Sequence, residues 1–191
     1  MTGAVAGTDG VKRCTWGNST EDYAAYHDEE WGVELHGESA LYERLSLEAF
    51  QSGLSWLTIL RKREGFRSAF AGFEPKLVAE FGPADVERLM EDTSIVRNRA
   101  KIEATIRNAN AIAELDVPLD DLLWSFAPTG RRRRPKLMSD IPAITDESKA
   151  MAKALKKRGF AFVGPTTAYA LMQATGMVDD HVAGCWRASA R

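Results

Sequence analysis

Cys14 and Cys185 stand almost at opposite ends of this chain of 191 residues, and each has a histidine close by. The pattern is Cys14-x12-His27, a long intervening body, then His181-x3-Cys185. Two thiolates and two imidazoles make a tetrahedral zinc set, and a set filled by four protein ligands is structural rather than catalytic. The His-x3-Cys spacing predicts both side chains one turn apart on one helical face. On this reading a metal staples the two ends together, and every topology in between must allow them to meet. Two other readings compete: a pair of buried free thiols, and a disulfide. The third histidine, His36, fits no ligand spacing.

Composition narrows the class. With 45% hydrophobic and 27% charged residues, this is an ordinary soluble chain. It is long enough to bury a substantial core without help from metal or disulfides. No apolar run approaches a membrane span and no charged-then-apolar leader opens the sequence, so the expectation is a cytoplasmic protein with no membrane partner. Two cysteines in a reducing compartment favour metal or free thiol over disulfide. The net charge of −2 carries no general signature of nucleic-acid binding, so any such contact must use a local basic patch. The run Arg131-Arg132-Arg133-Arg134 is one candidate, and a solvated loop explains it equally well. Nothing demands more than a monomer.

Along the chain, residues 1–11 are small and polar and predict a disordered tail, leaving 12–191 as a single domain. The segment 22–32 is acidic and aromatic, a set of buried anchors or the wall of a pocket. From Ser39, a plausible N-cap, the pattern is helical, with Leu41, Leu45 and Ala49 on one stripe and Gly53 at the stop. Glu48 sits beside Leu47 and Phe50 near that stripe. An unpaired buried carboxylate is costly, so the bland reading puts it on the polar edge. Pro83 opens a helix over 84–91 and Pro118 another over 119–126. Ile95, Ile102, Ile106, Ala109 and Ala113 mark a longer helical stripe. No stretch alternates with period two, which predicts an all-α fold.

The last third is the most structured in pattern. Thr145 caps a helix running through Arg158, acidic in its first turn and basic in its last. Gly159 stops it, residues 160–164 form a short linker, and Pro165 restarts a helix over 166–174. This helix, hairpin, helix unit spans about residues 147–175, and residues 178–186 then close the metal set. The amides of Gly164, Thr166 and Thr167 at the second helix start form either an anion site suited to a DNA phosphate or an ordinary helix corner.

Several blocks in order carry a resemblance. They are Arg13-Cys14-Thr15-Trp16, Tyr26-His27-Asp28-x-Glu30-Trp31-Gly32 and Leu47-Glu48-x-Phe50-Gln51-x-Gly53-Leu54-Ser55-Trp56. Trp124-Ser125-Phe126, Leu155-Lys156-Lys157-Arg158-Gly159-Phe160-x-Phe162-Val163-Gly164 and Asp180-His181-x2-Gly184-Cys185 follow. Over residues 13–185 the chain resembles the bacterial DNA-3-methyladenine glycosylase I family (Tag type) of the helix-hairpin-helix superfamily. The resemblance implies an enzyme that hydrolyses the N-glycosidic bond of 3-methyladenine in alkylated double-stranded DNA and leaves an abasic site. It implies Cys14, His27, His181 and Cys185 as structural zinc ligands and Glu48 as the carboxylate that recognises the base. Trp16, Tyr23, Tyr26 and Trp56 correspond to its aromatic pocket, and Gly159, Gly164, Thr166 and Thr167 to its DNA-binding hairpin. Thr166 falls where strand-cutting relatives in the superfamily carry a catalytic lysine, which implies hydrolysis without lyase activity. Asp179 falls at the superfamily's general-base aspartate, where Tag-type relatives often carry asparagine. It either positions water and supports the developing sugar cation, or merely orients the metal loop.

The chemistry suits these roles. A base inside a duplex must be extruded before a pocket can read it. Aromatic faces stack on it, worth about 1–3 kcal/mol per base. The 3-methyladenine nucleoside is cationic, which favours ring faces and a carboxylate together, and an ionised Glu48 accepts from the exocyclic amine. Three rivals remain: a zinc-stapled DNA- or protein-binding module, a glycosylase for other alkylpurines, and a metalloenzyme whose zinc keeps an open position for water.

Overall fold

The computed structural model describes residues 3–130 and 133–189. Its helices are α1 (Glu21–Glu29), α2 (Glu38–Gln51), α3 (Trp56–Ala69), α4 (Pro75–Ala79), α5 (Pro83–Glu91), α6 (Arg99–Ala113), α7 (Leu119–Trp124), α8 (Asp146–Lys157) and α9 (Pro165–Ala174). The body is all-α, with one small addition. Strands β1 (Ala4–Ala6) and β2 (Lys12–Cys14) pair antiparallel, with Ala4 opposite Cys14. Composition predicts a tail over 1–11, and within it the structure places a strand at residues 4–6. The reason is backbone pairing, which small side chains do not announce. Asn18 Nδ2 donates to the Val5 carbonyl at 2.8 Å, and the Trp186 amide donates to Lys12 at 2.8 Å, tying the chain's end to its beginning.

Helix α2 is the axis of the body. It buries Leu41, Tyr42, Leu45, Leu47 and Phe50 and packs against α3, α6, α7 and α9. Its N-cap is Gly37 rather than Ser39, because Ser39 Oγ donates instead to Glu74 Oε2 at 3.0 Å. At its far end Lys101 of α6 donates to the Phe50 and Ser52 carbonyls, satisfying acceptors that a helix end leaves open. The rings of Phe50, Phe66, Phe70 and Phe73 then fill the core beside it. Ser55 caps α3 by accepting from the Thr58 amide, so the helix begins at Trp56 and Leu54 stays exposed at its mouth. Pro83 opens α5 at its first residue, whereas Pro118 stands one place earlier, as the N-cap of α7. Asn98 caps α6, leaving Ile95 ahead of the helix.

The hairpin forms where the pattern predicts it. Thr145 and Ser148 make a reciprocal capping box at the start of α8. At its end the Phe160 amide donates to Leu155 and the Gly159 amide to Lys156, with Gly159 at φ +92°. That is a Schellman stop, which needs a left-handed residue at Gly159. Pro165 then occupies the first position of α9. Among the described residues no helix is long and apolar enough to cross a membrane.

Candidate active site

Thr20 caps α1, and the helix then sets Tyr23 and Tyr26 one turn apart on one face. Tyr23 Oη accepts from the Leu57 amide at 2.9 Å, which docks α1 on the first turn of α3, where Trp56 stands. Trp16 meets Tyr23 edge-on at 5.6 Å between centroids, and Tyr26 leans on Trp56 at 5.4 Å. These rings wall a cleft of about 380 Å³ with Glu48 among its lining residues. The structure thus brings together Trp16, Tyr23, Tyr26, Trp56 and Glu48. Trp31, one of the aromatics of segment 22–32, also lines it, while sequence reasoning missed Gln51, Ala170, Gln173, Met138 and Ile141. Gln51 was findable, since it follows Glu48 by one turn of α2. Met138 and Ile141 come from a short 3-10 turn and the residue after it, with no periodicity to betray them.

Glu48 is 5% exposed and does not sit on a polar edge. Burial pushes its carboxyl up to about 7, against the opposing charge of Arg44 one turn earlier on α2. Arg44 is itself buried. Its Nη1 donates to Tyr26 Oη at 2.8 Å and its Nη2 to Glu30 Oε2 at 3.2 Å. Arg63 of α3 holds the same Glu30 through both of its terminal nitrogens, at 2.5 and 2.9 Å.

Beside the pocket lies a second cluster. The donor atoms of Cys14, His27 and Cys185 lie within 4.8 Å of one another, all buried. Both cysteines are free, so the disulfide reading does not describe this arrangement. His27 Nδ1 meets Asp28 Oδ1 at 2.8 Å, and His181 Nδ1 meets Asp179 Oδ1 at 2.8 Å. A carboxylate at Nδ1 places the proton there and leaves the Nε2 lone pair for a ligand role. His27 Nε2 faces Cys185 Sγ at 3.5 Å. His181 Nε2 is buried with no hydrogen-bond partner, and its ring stands edge-on to His27 at 5.0 Å. The helical face expected for residues 181–185 is not what joins them. This stretch is a turn, closed by the Cys185 amide on the Val182 carbonyl at 3.0 Å, and the Val182 amide points at Cys14 Sγ. Gly32 packs under His181 so closely that a Cβ there would lie 2.8 Å from Cε1.

Asp28 and Asp179 are the anchors of this cluster. Burial raises both, yet their hydrogen bonds prevail. Those from Arg13, His27 and Trp186 hold Asp28 down at about 2. His181 and the nearby Arg134 hold Asp179 well below the usual carboxylate range. Asp179 does not line the aromatic cleft. It accepts from the His181 amide and from Arg134 Nη2 at 3.0 Å. Of the arginine run, Arg134 therefore serves this loop, Arg133 is exposed, and Arg131 and Arg132 lie outside the described residues.

The hairpin presents Gly164 and Thr166 exposed, with Gly159 and Thr167 half-buried. Its backbone is held from α6, a contact not visible in the sequence pattern. Asn108 accepts from the Ala161 amide at 2.8 Å and donates back to its carbonyl at 3.1 Å. Arg107 Nε donates to the Gly159 carbonyl at 2.7 Å. From the hairpin, α9 runs into the cleft, where Ala170 and Gln173 form part of the wall.

A hairpin whose outgoing helix walls an aromatic cleft over a buried carboxylate is the arrangement of a helix-hairpin-helix DNA glycosylase. The chain belongs to the methyladenine glycosylase family, whose model matches residues 16–188. It is 45% identical over 183 residues to DNA-3-methyladenine glycosylase 1 of Escherichia coli (strain K12), covering 92% of this chain and 96% of that protein. A crystal structure of a 3-methyladenine DNA glycosylase I superposes with a TM-score of 0.88 at 44% identity, covering 91% of this chain and 98% of the other. The 3-methyladenine DNA glycosylase I of Staphylococcus aureus, solved for the structural basis of 3-methyladenine recognition, gives 0.85 at 35% identity, covering 91% and 95%.

Proposed function

We propose that this chain hydrolyses the N-glycosidic bond of 3-methyladenine in alkylated double-stranded DNA, freeing the base and leaving an abasic site with the strand intact. The observation that carries this is the buried Glu48 carboxyl facing a cleft walled by Trp16, Tyr23, Tyr26 and Trp56. The amides at the start of α9 hold the DNA backbone through a phosphate, and the extruded base enters the cleft. The rings take its cationic face, and Glu48 accepts from its exocyclic amine. A cation beside Glu48 favours the ionised carboxylate, so binding and ionisation support each other. The C1′–N9 bond then breaks with both electrons going to the purine, which becomes neutral. Water adds its oxygen to C1′ and releases a proton. Thr166 offers a hydroxyl where a strand-cutting enzyme needs an amine, so the reaction stops at hydrolysis.

Zinc suits the second cluster, with Cys14, His27, His181 and Cys185 as ligands. Thiolate with imidazole is the donor set zinc prefers, and a buried His181 Nε2 without a hydrogen-bond partner fits a metal ligand. When bound, the metal would close the chain's two ends and take no part in bond breaking. Asp179 then orients His181, and its commitment to His181 and Arg134 favours that role over water activation.

Base release from methylated duplex DNA, with the freed bases separated and identified, tests the function. Wild type should free 3-methyladenine, and Glu48→Gln should free much less. Folded, metal-loaded protein that binds DNA and releases no base would make the binding-module reading the better one.

A further inference from the structure

Arg44 is an anomaly in the body of the fold. It stands in the middle of α2, among the buried side chains of Tyr42, Leu45, Ser46 and Leu47, and is itself 6% exposed. Burying a guanidinium is expensive unless its charge and donors are met. Here they are met by groups of the base cleft. Nη1 reaches Tyr26 Oη and Nη2 reaches Glu30, while the guanidinium carbon lies 5.4 Å from the Tyr26 ring and 5.7 Å from the Trp56 ring. Glu30 does not need this cation, because Arg63 already holds it bidentately. The charge left over is matched by Glu48, one helical turn away.

We infer that Arg44 is a positioning residue of the base cleft, a fixed cation behind its aromatic wall that favours a charged carboxylate at Glu48, one turn along α2, and holds Tyr26 as a hydrogen-bond donor. This rests on the base-release reading above. Among the described residues, the other cations around α2 are committed elsewhere: Lys101 of α6 donates to the Phe50 and Ser52 carbonyls at the helix end. From α1 and its end come Tyr26 and Glu30, and from α3 comes Arg63, spent on Glu30. From α9 comes the neutral Gln173, which donates to Asp180. Without Arg44, an ionised Glu48 would share its surroundings with Glu30 and a single guanidinium, and the neutral acid would win. A neutral Glu48 is a poorer acceptor for the base's amine and offers no charge to a cation. The bond from Arg44 also occupies an acceptor site on Tyr26 Oη, so the hydroxyl proton faces away from the guanidinium.

The test is single-turnover base release between pH 6 and pH 9 by wild type, Arg44→Gln and Arg44→Lys, each checked for folding by circular dichroism. Arg44→Gln keeps a hydrogen bonder but removes the charge. The midpoint of its acid limb should rise by about 1 in pH, a roughly five-fold loss at pH 7 that recovers by pH 9. Arg44→Lys keeps the charge and should hold the midpoint near that of wild type, whatever it costs in rate through the altered contact with Tyr26. A profile for Arg44→Gln parallel to wild type would overturn the inference, as would equal displacements in both variants. If Arg44→Gln does not fold, the lysine variant still decides: a midpoint displaced like that of a neutral substitution removes the charge role. Absence of base release by wild type is a different result and would refute the function rather than Arg44's part in it.

Discussion

Replacing Glu48 by glutamine should stabilise this protein at alkaline pH while disabling it. The reason is that folding carries the Glu48 pKa from an ordinary 4.5 to about 7. An acid raised by folding costs nothing below its unfolded pKa, where both states are protonated. As pH rises from 4.5 toward 7 the unfolded chain ionises first, and stability falls. Above 7 the full cost is present. A tenfold change in acid strength corresponds to about 1.4 kcal/mol, so the fold gives up on the order of 3 kcal/mol at pH 8 to carry this carboxylate. Glutamine fills nearly the same volume without the charge. At this chain length each kcal/mol moves Tm by about 2–4 °C, so Glu48→Gln should melt roughly 6–12 °C above wild type at pH 8. At pH 5, where the unfolded carboxyl is already mostly ionised, the gap should shrink to about 2–3 °C. A glutamine amide left unpaired would cost about 1–3 kcal/mol, but equally at every pH, so the widening gap is the signature. Melting curves of both proteins at pH 5, 6.5 and 8 measure it. The pH dependence of the thiolate cluster is common to both and cancels in the difference. A gap that stays constant with pH, or narrows as pH rises, refutes the reasoning.

Other outcomes follow from the same contacts. Chelation should lower the Tm of wild type to that of Cys185→Ser, because metal at a thousandfold excess over its Kd stabilises by about 4 kcal/mol; a melting curve indifferent to chelator would count against the cluster as a metal site. Asp179→Asn weakens the acceptor for His181 and the ion pair with Arg134. It should therefore reduce metal affinity about 10–100-fold while the metal-loaded enzyme keeps its single-turnover rate, and a rate lost at full metal occupancy would return Asp179 to the chemistry. Asn108→Ala leaves the Ala161 amide and carbonyl without partners, at about 1–3 kcal/mol. DNA affinity should fall while quenching of cleft tryptophans by free 3-methyladenine is unchanged; equal loss of both would mean a general loosening of the fold.

Much of this was legible in the residues, and the misses have a common cause. Caps and stops at Thr145, Gly159 and Pro165 are local signals, and the hairpin formed where they place it. Tyr23 and Tyr26 share one face of α1 and meet Trp56 at the start of α3, with Trp16 on the 3-10 turn before α1; composition left these rings as anchors or pocket wall, and only the family resemblance implied that they gather into one pocket. Glu48 looked odd on its stripe, and the oddity was real. What the chain did not show were partnerships across distance. Ser39 gave up its cap for Glu74, an acceptor far along the chain. Residues 4–6 joined a strand through backbone groups that carry no side-chain code. Arg44 reads as the polar face of a helix until Tyr26, Glu30 and Trp56 are seen around it, and Asn108 reads as an ordinary helical residue until the hairpin folds over it.

The Cys14, His27 and Cys185 cluster and the aromatic cleft are not separate devices, because they share a wall. Trp31 lines the cleft and stands edge-on to His181 at 4.6 Å, and Trp16 lines it and meets His27 at 5.1 Å. Gly32, immediately after Trp31, admits His181 only because it lacks a side chain. The rings of the cleft are therefore braced from behind by two imidazoles, one of which, His27, clusters with the two thiols. A buried cluster drawn from both ends of the chain thereby does more than join them. It fixes Trp16 and Trp31, which belong to the first segment of the domain, against a cleft whose carboxylate sits on α2 and whose far wall is α9. Close stacking on a cationic base requires ring positions held to a few tenths of an ångström, and a segment hinged only at β2 and α1 would lack that rigidity. The cluster that joins the two ends and the cleft at the centre are thus one mechanical unit.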